Sequence, residues 1–170
     1  MAEVIDDLSR PFPLTPRGTR WGVVTDTVMG GLSAGRLTRA EWQGRPCLHL
    51  TGDVSLANDG GFLQAALDLG PTDGSLWDGI ALTVAGPPET YNLHLRTTDL
   101  TRPQQSYRAT FRTTPDWTTH RIPWSEITPH RTDAPFRPDR LRRVGLVAIG
   151  RAFTADLRIA DLRFFRASPR

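Results

Sequence analysis

Short segments in which apolar and polar residues alternate restrict the fold of this 170-residue chain more than any other feature. The run Tyr91 to Arg96 alternates strictly, and the run Ser106 to Arg112 does the same. A period of two residues is typical of a strand that buries one face. Gly, Pro, Asp and Asn separate these runs from their neighbours, as expected for turns between antiparallel strands.

These two runs are predicted to pair as a hairpin across the loop 97–104. In the register that matches their apolar positions, Leu95 lies near Tyr107 and His94 lies beside Arg108. Because both strands then agree on which face is apolar, one face belongs to the core. The opposite face is predicted to be a polar surface that carries arginine.

The rest of the chain contains further short segments of the same character. The other predicted strands are 21–28, 35–42, 47–56, 61–69, 79–85, 117–122, 144–149 and 153–165. A change of parity near Ala160 and Asp161 indicates a β-bulge. Only 124–128 is predicted to be helical, so the long amphipathic helices of an α/β fold are missing. About ten strands with minimal helix predict an all-β fold, an antiparallel β-sandwich of the jelly-roll type.

Length and composition indicate one domain over residues 1–170. Prolines at 11, 13 and 16 predict an extended N-terminal arm over residues 1–17, and the proline-marked segment 128–140 is predicted to be a long loop. Cys47 is the single cysteine, so an internal disulfide is excluded. No apolar run resembles a signal peptide or reaches the roughly 18 residues of a membrane helix. We therefore expect a cytoplasmic protein without membrane insertion.

All 21 basic residues are arginine, and the formal net charge is +3. The charge is uneven, since residues 131–170 carry ten arginines and four acidic residues. A basic region is compatible with nucleic acid, but we favour a solvated face because no aromatic and basic spacing typical of a nucleic-acid platform is present. The sequence therefore predicts no nucleic-acid partner.

Residues that commonly carry catalysis or bind metals are poorly placed in this sequence. Gly31 to Gly35 fits the G-x-S-x-G pattern of serine hydrolases, but that pattern requires a strand followed by a helix, and another strand is predicted to follow. The four histidines lack the spacing of a metal-binding pair. The turn 58–61 has oxygens suitable for calcium but few carboxylates. We predict no catalytic residue, no metal and no cofactor, with a hydrolase at Ser33 as the least favoured alternative.

The segment from Trp21 to Ser33 has the order W-x4-D-x-V-M-G-G-x-S. This order resembles the opening motif of the complex I intermediate-associated protein 30 family, and the likeness continues over residues 12–166. The residues that carry the motif, assigned a mainly structural role, are Trp21, Asp26, Met29, Gly30, Gly31, Ser33, Asn58, Gly60, Gly61 and Phe62. Within them, Asp26 is expected to accept backbone N–H bonds.

The resemblance implies a galactose-binding-like jelly roll and a non-catalytic role in the assembly of NADH:ubiquinone oxidoreductase. Two positions depart from the family pattern. Asp59 is inserted into the usual Asn-Gly-Gly-Phe turn, and Ala66 stands where relatives usually carry an arginine. The second departure puts any anion contact made there by relatives in question.

The sequence thus predicts a binding or assembly-factor domain rather than an enzyme. Its expected ligand is a protein partner, with subunits or assembly intermediates of respiratory complex I as candidates. Arginine suits such a surface because its planar fork binds carboxylates in pairs of hydrogen bonds. The predicted binding residues are Asn92, His94, Arg96, Arg108 and Arg112. The alternative is a carbohydrate-binding module that uses the same face.

Overall fold

A computed structural model describes residues 2–29, 31–59 and 61–167. In these ranges the chain forms twelve β-strands and short 3-10 turns. The strands are β1 (Ala2–Asp6), β2 (Trp21–Thr25), β3 (Ala34–Trp42), β4 (Arg45–Val54), β5 (Phe62–Thr72), β6 (Gly79–Ala85), β7 (Glu89–Thr97), β8 (Ser106–Thr113), β9 (Thr118–Pro123), β10 (Thr128–His130), β11 (Leu141–Ile149) and β12 (Phe153–Phe165). The 3-10 turns are Asp26–Met29, Ala57–Asp59, Gly74–Leu76, Trp124–Glu126 and Pro138–Arg140.

The strands form two antiparallel sheets that face each other as a jelly-roll sandwich, as the sequence predicts. The first sheet has the order β3-β4-β12-β6-β9, and β1 also pairs with β12. The second has the order β10-β8-β7-β11-β5-β2. Strands that follow one another in the chain often lie in different sheets, so the pairings join distant residues and bury both inner faces in one core.

The predicted hairpin forms in the predicted register. Leu95 pairs with Tyr107, and His94 pairs with Arg108, between β7 and β8. The predicted bulge in β12 is also present, as a register shift between Ile159 and Asp161 against β6. This shift turns Asp161 and Arg163 outward while Phe164 stays fully buried.

Several predicted elements differ from the structure in extent or kind. The predicted N-terminal arm contains strand β1, in which Ala2 pairs with Phe165 of β12. The predicted loop 128–140 begins with strand β10, which pairs with β8. Both strands are short, with five and three residues, so their pairing depends on a neighbouring edge and leaves too little alternation to read. The predicted helix 124–128 is a 3-10 turn, and the strand predicted over 21–28 ends at Thr25.

The core lies between the sheets and is built from the inward residues of each strand. Trp21 takes part in it and donates its indole N–H to the buried carboxylate of Asp6 at 2.6 Å. This bond ties β1 of the first sheet to β2 of the second. The largest side chains buried in full are Tyr91, Tyr107, Phe164, Ile5, Leu48, Leu50, Leu63, Leu67, Ile80, Leu82, Leu93 and Leu95.

Candidate functional site

The predicted binding residues lie on the outward side of the second sheet, which we call the polar face. On β7 the inward residues Tyr91, Leu93 and Leu95 are buried, so the residues between them point away from the core. On β8, the apolar residues Tyr107 and Phe111 are buried in the core. The outward residues of these two strands include Asn92, His94, Arg96, Arg108 and Arg112.

Cross-strand pairing defines which of these residues are neighbours. His94 is directly opposite Arg108, and Arg112 pairs with Thr90 two outward positions further along. Arg112 donates to the Thr90 hydroxyl at 2.9 Å and is exposed. The polar face therefore has a central pair, His94 and Arg108, and a more distant arginine at one end.

Two further strands bring an arginine and a histidine to the border of this face, and the sequence prediction missed both. Arg143 on β11 is opposite Arg96, and Gly145 is opposite His94. On β10, His130 pairs with Ser106. The only signal for Arg143 was its position just before the apolar run 144–149, because the strand was predicted to start at 144 and it starts three residues earlier, at Leu141.

His94 is the most perturbed group on the polar face. Burial, with help from the nearby charges of Arg108 and His130, lowers its pKa to about 3. Its Nε2 atom is buried and makes no hydrogen bond within the described part of the chain. At neutral pH the imidazole is therefore uncharged and has a ring nitrogen without a partner.

The arginines around His94 are held by few anionic groups. Arg108 donates from Nε to the hydroxyl of Ser106 at 2.8 Å. Burial, together with Arg131, lowers the pKa of Arg108, although an arginine remains charged at neutral pH. Arg143 Nε is 3.9 Å from the exposed carboxylate of Asp68 and forms no hydrogen bond among the residues described. Positive charge on this face is thus incompletely balanced.

Arg96 has a different role from its neighbours. Its NH1 group donates to the carbonyl oxygens of Gln105, at 2.5 Å, and Arg102, at 3.1 Å. These bonds close the loop between β7 and β8 against the sheet. Arg96 thus positions the loop beside the polar face, and part of its hydrogen-bonding capacity is already used.

A row of paired residues crosses the middle of the polar face from β2 to β10. Gly22, Ala66 and Gly145 occupy the first half, and His94, Arg108 and Thr128 continue it. The three residues of the first half have a methyl group or no side chain at all, so no long side chain projects from these positions. The end of the neighbouring Gln64 side chain lies over Gly145. Ala66, the position at which the family resemblance leads one to expect an arginine, stands in this same row.

The family motif forms a buried hub at the end of the second sheet. The carboxylate of Asp26, fully buried, accepts hydrogen bonds from the backbone N–H groups of Ser33 at 2.9 Å, Gly61 at 2.5 Å and Phe62 at 3.2 Å. It also accepts the hydroxyl of Ser33. Burial opposes ionisation of Asp26, but these bonds outweigh it and hold the pKa below its ordinary value. Asp26 thereby joins three segments of the chain.

Other motif residues are explained by this hub. A Cβ at Gly31 would lie 2.5 Å from Cγ of Asp26, so a side chain has no room there. Asn58 has a left-handed backbone with φ of 56°. Gly30 and Gly60 lie outside the described residues, as does the side chain of Met29.

Ser33 is buried at the hub and continues into strand β3. The strand-to-helix turn that a G-x-S-x-G nucleophile requires is therefore replaced by a strand, as predicted. Its hydroxyl donates to Asp26, and it accepts the backbone N–H of Ser55 at 2.8 Å. Within residues 2–29, 31–59 and 61–167, no group of three or more His, Cys, Asp or Glu side chains is placed to hold a metal ion.

The electrostatics of His94 lead to a direct prediction. In an NMR titration of the four histidine rings, we expect the His94 signals to show no protonation between pH 8 and pH 5, because its folded pKa is about 3. Since the unfolded chain takes up that proton near pH 6.5, the folded state should lose stability as pH falls from 6.5 towards 3. A His94 ring that titrates near pH 6.5 would contradict this.

The comparisons with known proteins agree with the fold. The sequence profile described as complex I intermediate-associated protein 30 matches residues 12–159. No curated protein sequence is significantly similar to this chain. The residues described contain no helix long and apolar enough to cross a membrane.

Several solved structures with the same fold are carbohydrate-binding modules. The family 11 module of a cellulosomal cellulase of Clostridium thermocellum has a TM-score of 0.79 at 11% identity, covering 98% of this chain and 95% of that chain. The module from the same organism in complex with a β-1,3-1,4-mixed-linked tetrasaccharide has a TM-score of 0.78 at 11% identity, covering 98% and 96%. A family 30 module has a TM-score of 0.57 at 15% identity, covering 83% and 77%. At these identities the likeness shows a shared fold.

Proposed function

Because the chain belongs to the complex I intermediate-associated protein 30 family, we propose that it is a non-catalytic domain that binds an acidic protein partner during assembly of respiratory complex I. The observation that carries this proposal is the incompletely balanced positive charge at the centre of the polar face. Arg108 is on β8 and Arg143 is on β11. These two strands flank β7, which carries His94 and its unpartnered ring nitrogen.

A partner that presents carboxylates matches these groups chemically. A guanidinium binds a carboxylate through two parallel hydrogen bonds, and such charge-assisted bonds are the strong ones at interfaces. His94 stays uncharged beside this contact, because its Nε2 atom is buried and its pKa is about 3, so the guanidinium groups are the ones that bind the carboxylate. At the β2 end of the row Gly22 is exposed and a Cβ there would meet no atom within 4 Å, so the backbone of the partner can approach the sheet at that position.

We place this binding in the cytoplasm. Cys47 is free and buried, which suits a reducing compartment.

Ser33 has no catalytic role in this proposal, because its hydroxyl donates a hydrogen bond to the buried carboxylate of Asp26.

The test compares partner binding by the wild type, the double variant Arg108→Ala with Arg143→Ala, and Arg36→Ala as a control. Arg36 is an exposed arginine of β3 in the other sheet. The double variant keeps the loop bonds of Arg96 intact. We expect it to bind the partner about a hundredfold more weakly, since two charge-assisted contacts contribute about 3 kcal/mol. The control should bind like the wild type.

Identification of the bound proteins by mass spectrometry separates the parts of the proposal. Recovery of complex I subunits or assembly intermediates supports the assembly role, and recovery of other proteins alone would exclude it. A double variant that retains every partner at wild-type affinity would exclude the polar face as the binding surface. Raising the salt concentration should weaken wild-type binding, because the contacts are ionic.

The alternative ligand is a carbohydrate on the same face, as in the related fold that holds a tetrasaccharide. The side chains on the polar face favour the acidic partner, because they offer guanidinium and imidazole groups. The indole N–H groups of Trp42, Trp117 and Trp124 are instead bonded to backbone carbonyls elsewhere. Calorimetry with the mixed-linked tetrasaccharide is expected to show no binding, and saturable binding lost with Arg108→Ala would favour the carbohydrate.

A further inference from the structure

The outward side of the first sheet contains an open cavity of about 470 Å³, on the opposite side of the sandwich from the polar face. Strands β1, β12, β6 and β9 contribute to its lining. We call it the arginine depression, because its walls include Arg45, Arg121, Arg163 and Arg166 around a floor at Ala81 and Thr83.

The bulge in β12 and the small residues of β6 create this depression. Beyond the register shift, Asp161 pairs with Thr83, and Arg163 pairs with Ala81. On the other side, Arg121 of β9 also pairs with Ala81. The short side chains of β6 therefore lie between two longer arginines, which leaves a hollow between them.

Each arginine of the depression is held in place by a neighbouring group. Arg163 makes two hydrogen bonds of 2.6 Å to the carboxylate of Asp161, whose side chain is only 10% exposed. The other three guanidinium groups lie over aromatic rings. The distances to the ring centres are 5.6 Å for Arg45 over Trp117, 5.7 Å for Arg121 over Phe165 and 5.3 Å for Arg166 over Trp77.

This arrangement leaves positive charge unbalanced. Among the residues that the structure describes, no ion pair joins Arg45, Arg121 or Arg166 to a carboxylate. The carboxylate of Asp161 forms its ion pair with Arg163. A ring contact restrains a guanidinium without neutralising it, so N–H groups stay available for a ligand. Arg166 also donates from Nε to the carbonyl oxygen of Leu76 at 3.0 Å. The lining thus has four guanidinium groups and one carboxylate.

We propose that the arginine depression binds a small molecule with a multiply charged phosphate group, of the diphosphate or phosphate-ester class. Arginine forks match phosphate oxygens in geometry and charge. Ligand cavities commonly measure about 300–1,000 Å³, so this one accommodates more than a single phosphate ion. The site is separate from the polar face and does not depend on the function proposed for it.

The test is calorimetry with inorganic pyrophosphate and the full chain at low salt. We expect saturable binding that weakens at least about tenfold in the double variant Arg45→Ala with Arg121→Ala. This variant keeps the pair of Asp161 and Arg163, so the buried carboxylate retains its partner. Arg36→Ala is the matched control, because Arg36 lies on the same sheet but outside the depression, and it should bind like the wild type. Thermal melting of both variants checks their folding.

Three outcomes would overturn the proposal. The first is that pyrophosphate fails to bind the wild type. The second is that Arg36→Ala weakens binding as much as the double variant does, since surface charge alone then explains the affinity. The third is that a single-stranded oligonucleotide displaces pyrophosphate and binds more tightly, which would assign the depression to nucleic acid. Unchanged pyrophosphate binding by the polar-face double variant is expected, since the two sites lie on opposite sheets.

Discussion

Replacing Asp26 with alanine is expected to lower the free energy of unfolding by about 4 kcal/mol, because several buried donors lose their acceptor at once. The backbone N–H groups of Ser33, Gly61 and Phe62 all point at this carboxylate, and the Ser33 hydroxyl does so too. Alanine leaves these donors without a partner and removes the link between three segments of the chain.

Urea unfolding at pH 7 measures this effect, with Asp68→Ala as the control. The Asp68 side chain is 74% exposed, so its replacement should change stability by less than about 0.5 kcal/mol. Because the folded-state pKa of Asp26 is lowered from 3.8, the contribution of its ionisation is present above pH 3.8 and is lost as pH falls below that value. An Asp26→Ala protein within about 1 kcal/mol of the wild type would show that the hub is dispensable.

A methyl group at Gly79 is expected to destabilise the protein by about 3 kcal/mol, the upper end of the usual range for overpacking. Gly79 pairs with Phe165 on one side and Pro123 on the other. A Cβ there would lie 2.1 Å from the carbonyl oxygen of Ile122 and 2.7 Å from Cα of Pro123. Since both atoms are backbone, relief requires β6 and β9 to separate.

Gly22→Ala provides the matched comparison for Gly79→Ala. Gly22 is also a strand glycine, but it is exposed, and a Cβ there would meet no atom within 4 Å. Chemical unfolding of the two variants should therefore separate them by more than about 2 kcal/mol. Equal stability of the two proteins would mean that the close pairing around Gly79 adjusts at little cost.

Strand alternation was enough to predict the sandwich, the register of β7 with β8 and the bulge in β12. These three features depend on which residues face the core. A one-residue slip in register would turn the apolar side chains to the solvent, so burial of alternate residues determines the register. The pairing of His94 with Arg108 follows from that register alone. The polar face was therefore predictable wherever two neighbouring strands both alternate.

The histidine and the arginine that border this face were not predictable in the same way. His130 belongs to β10, a three-residue strand after Ile127, and Arg143 lies next to a register shift in β11. In both places the pairing is decided by a neighbouring strand that is distant in sequence. Nor does alternation predict that the Nε2 atom of His94 is buried, because its surroundings come from three different strands. Tertiary packing sets its pKa, and no local pattern encodes that.

The arginine depression was hidden for a related reason. The sequence shows an excess of arginine after residue 130, but Arg45 and Arg121 come from the net-acidic part of the chain. Only the sheet order β4-β12-β6-β9 brings them to the same surface as Arg163 and Arg166. The distribution of charge along the sequence therefore did not predict which surface of the fold has the highest density of arginine.

The pairing of β1 with the end of β12 has a practical consequence for the design of fusion proteins. Ala2 lies beside Phe165, and both Ala2 and Arg166 line the arginine depression. An acidic segment joined directly before Ala2 or directly after Arg166 would therefore begin at the edge of that cavity and compete there with a phosphate ligand. The polar face belongs to the other sheet, so anchoring the protein through these two residues leaves the polar face open.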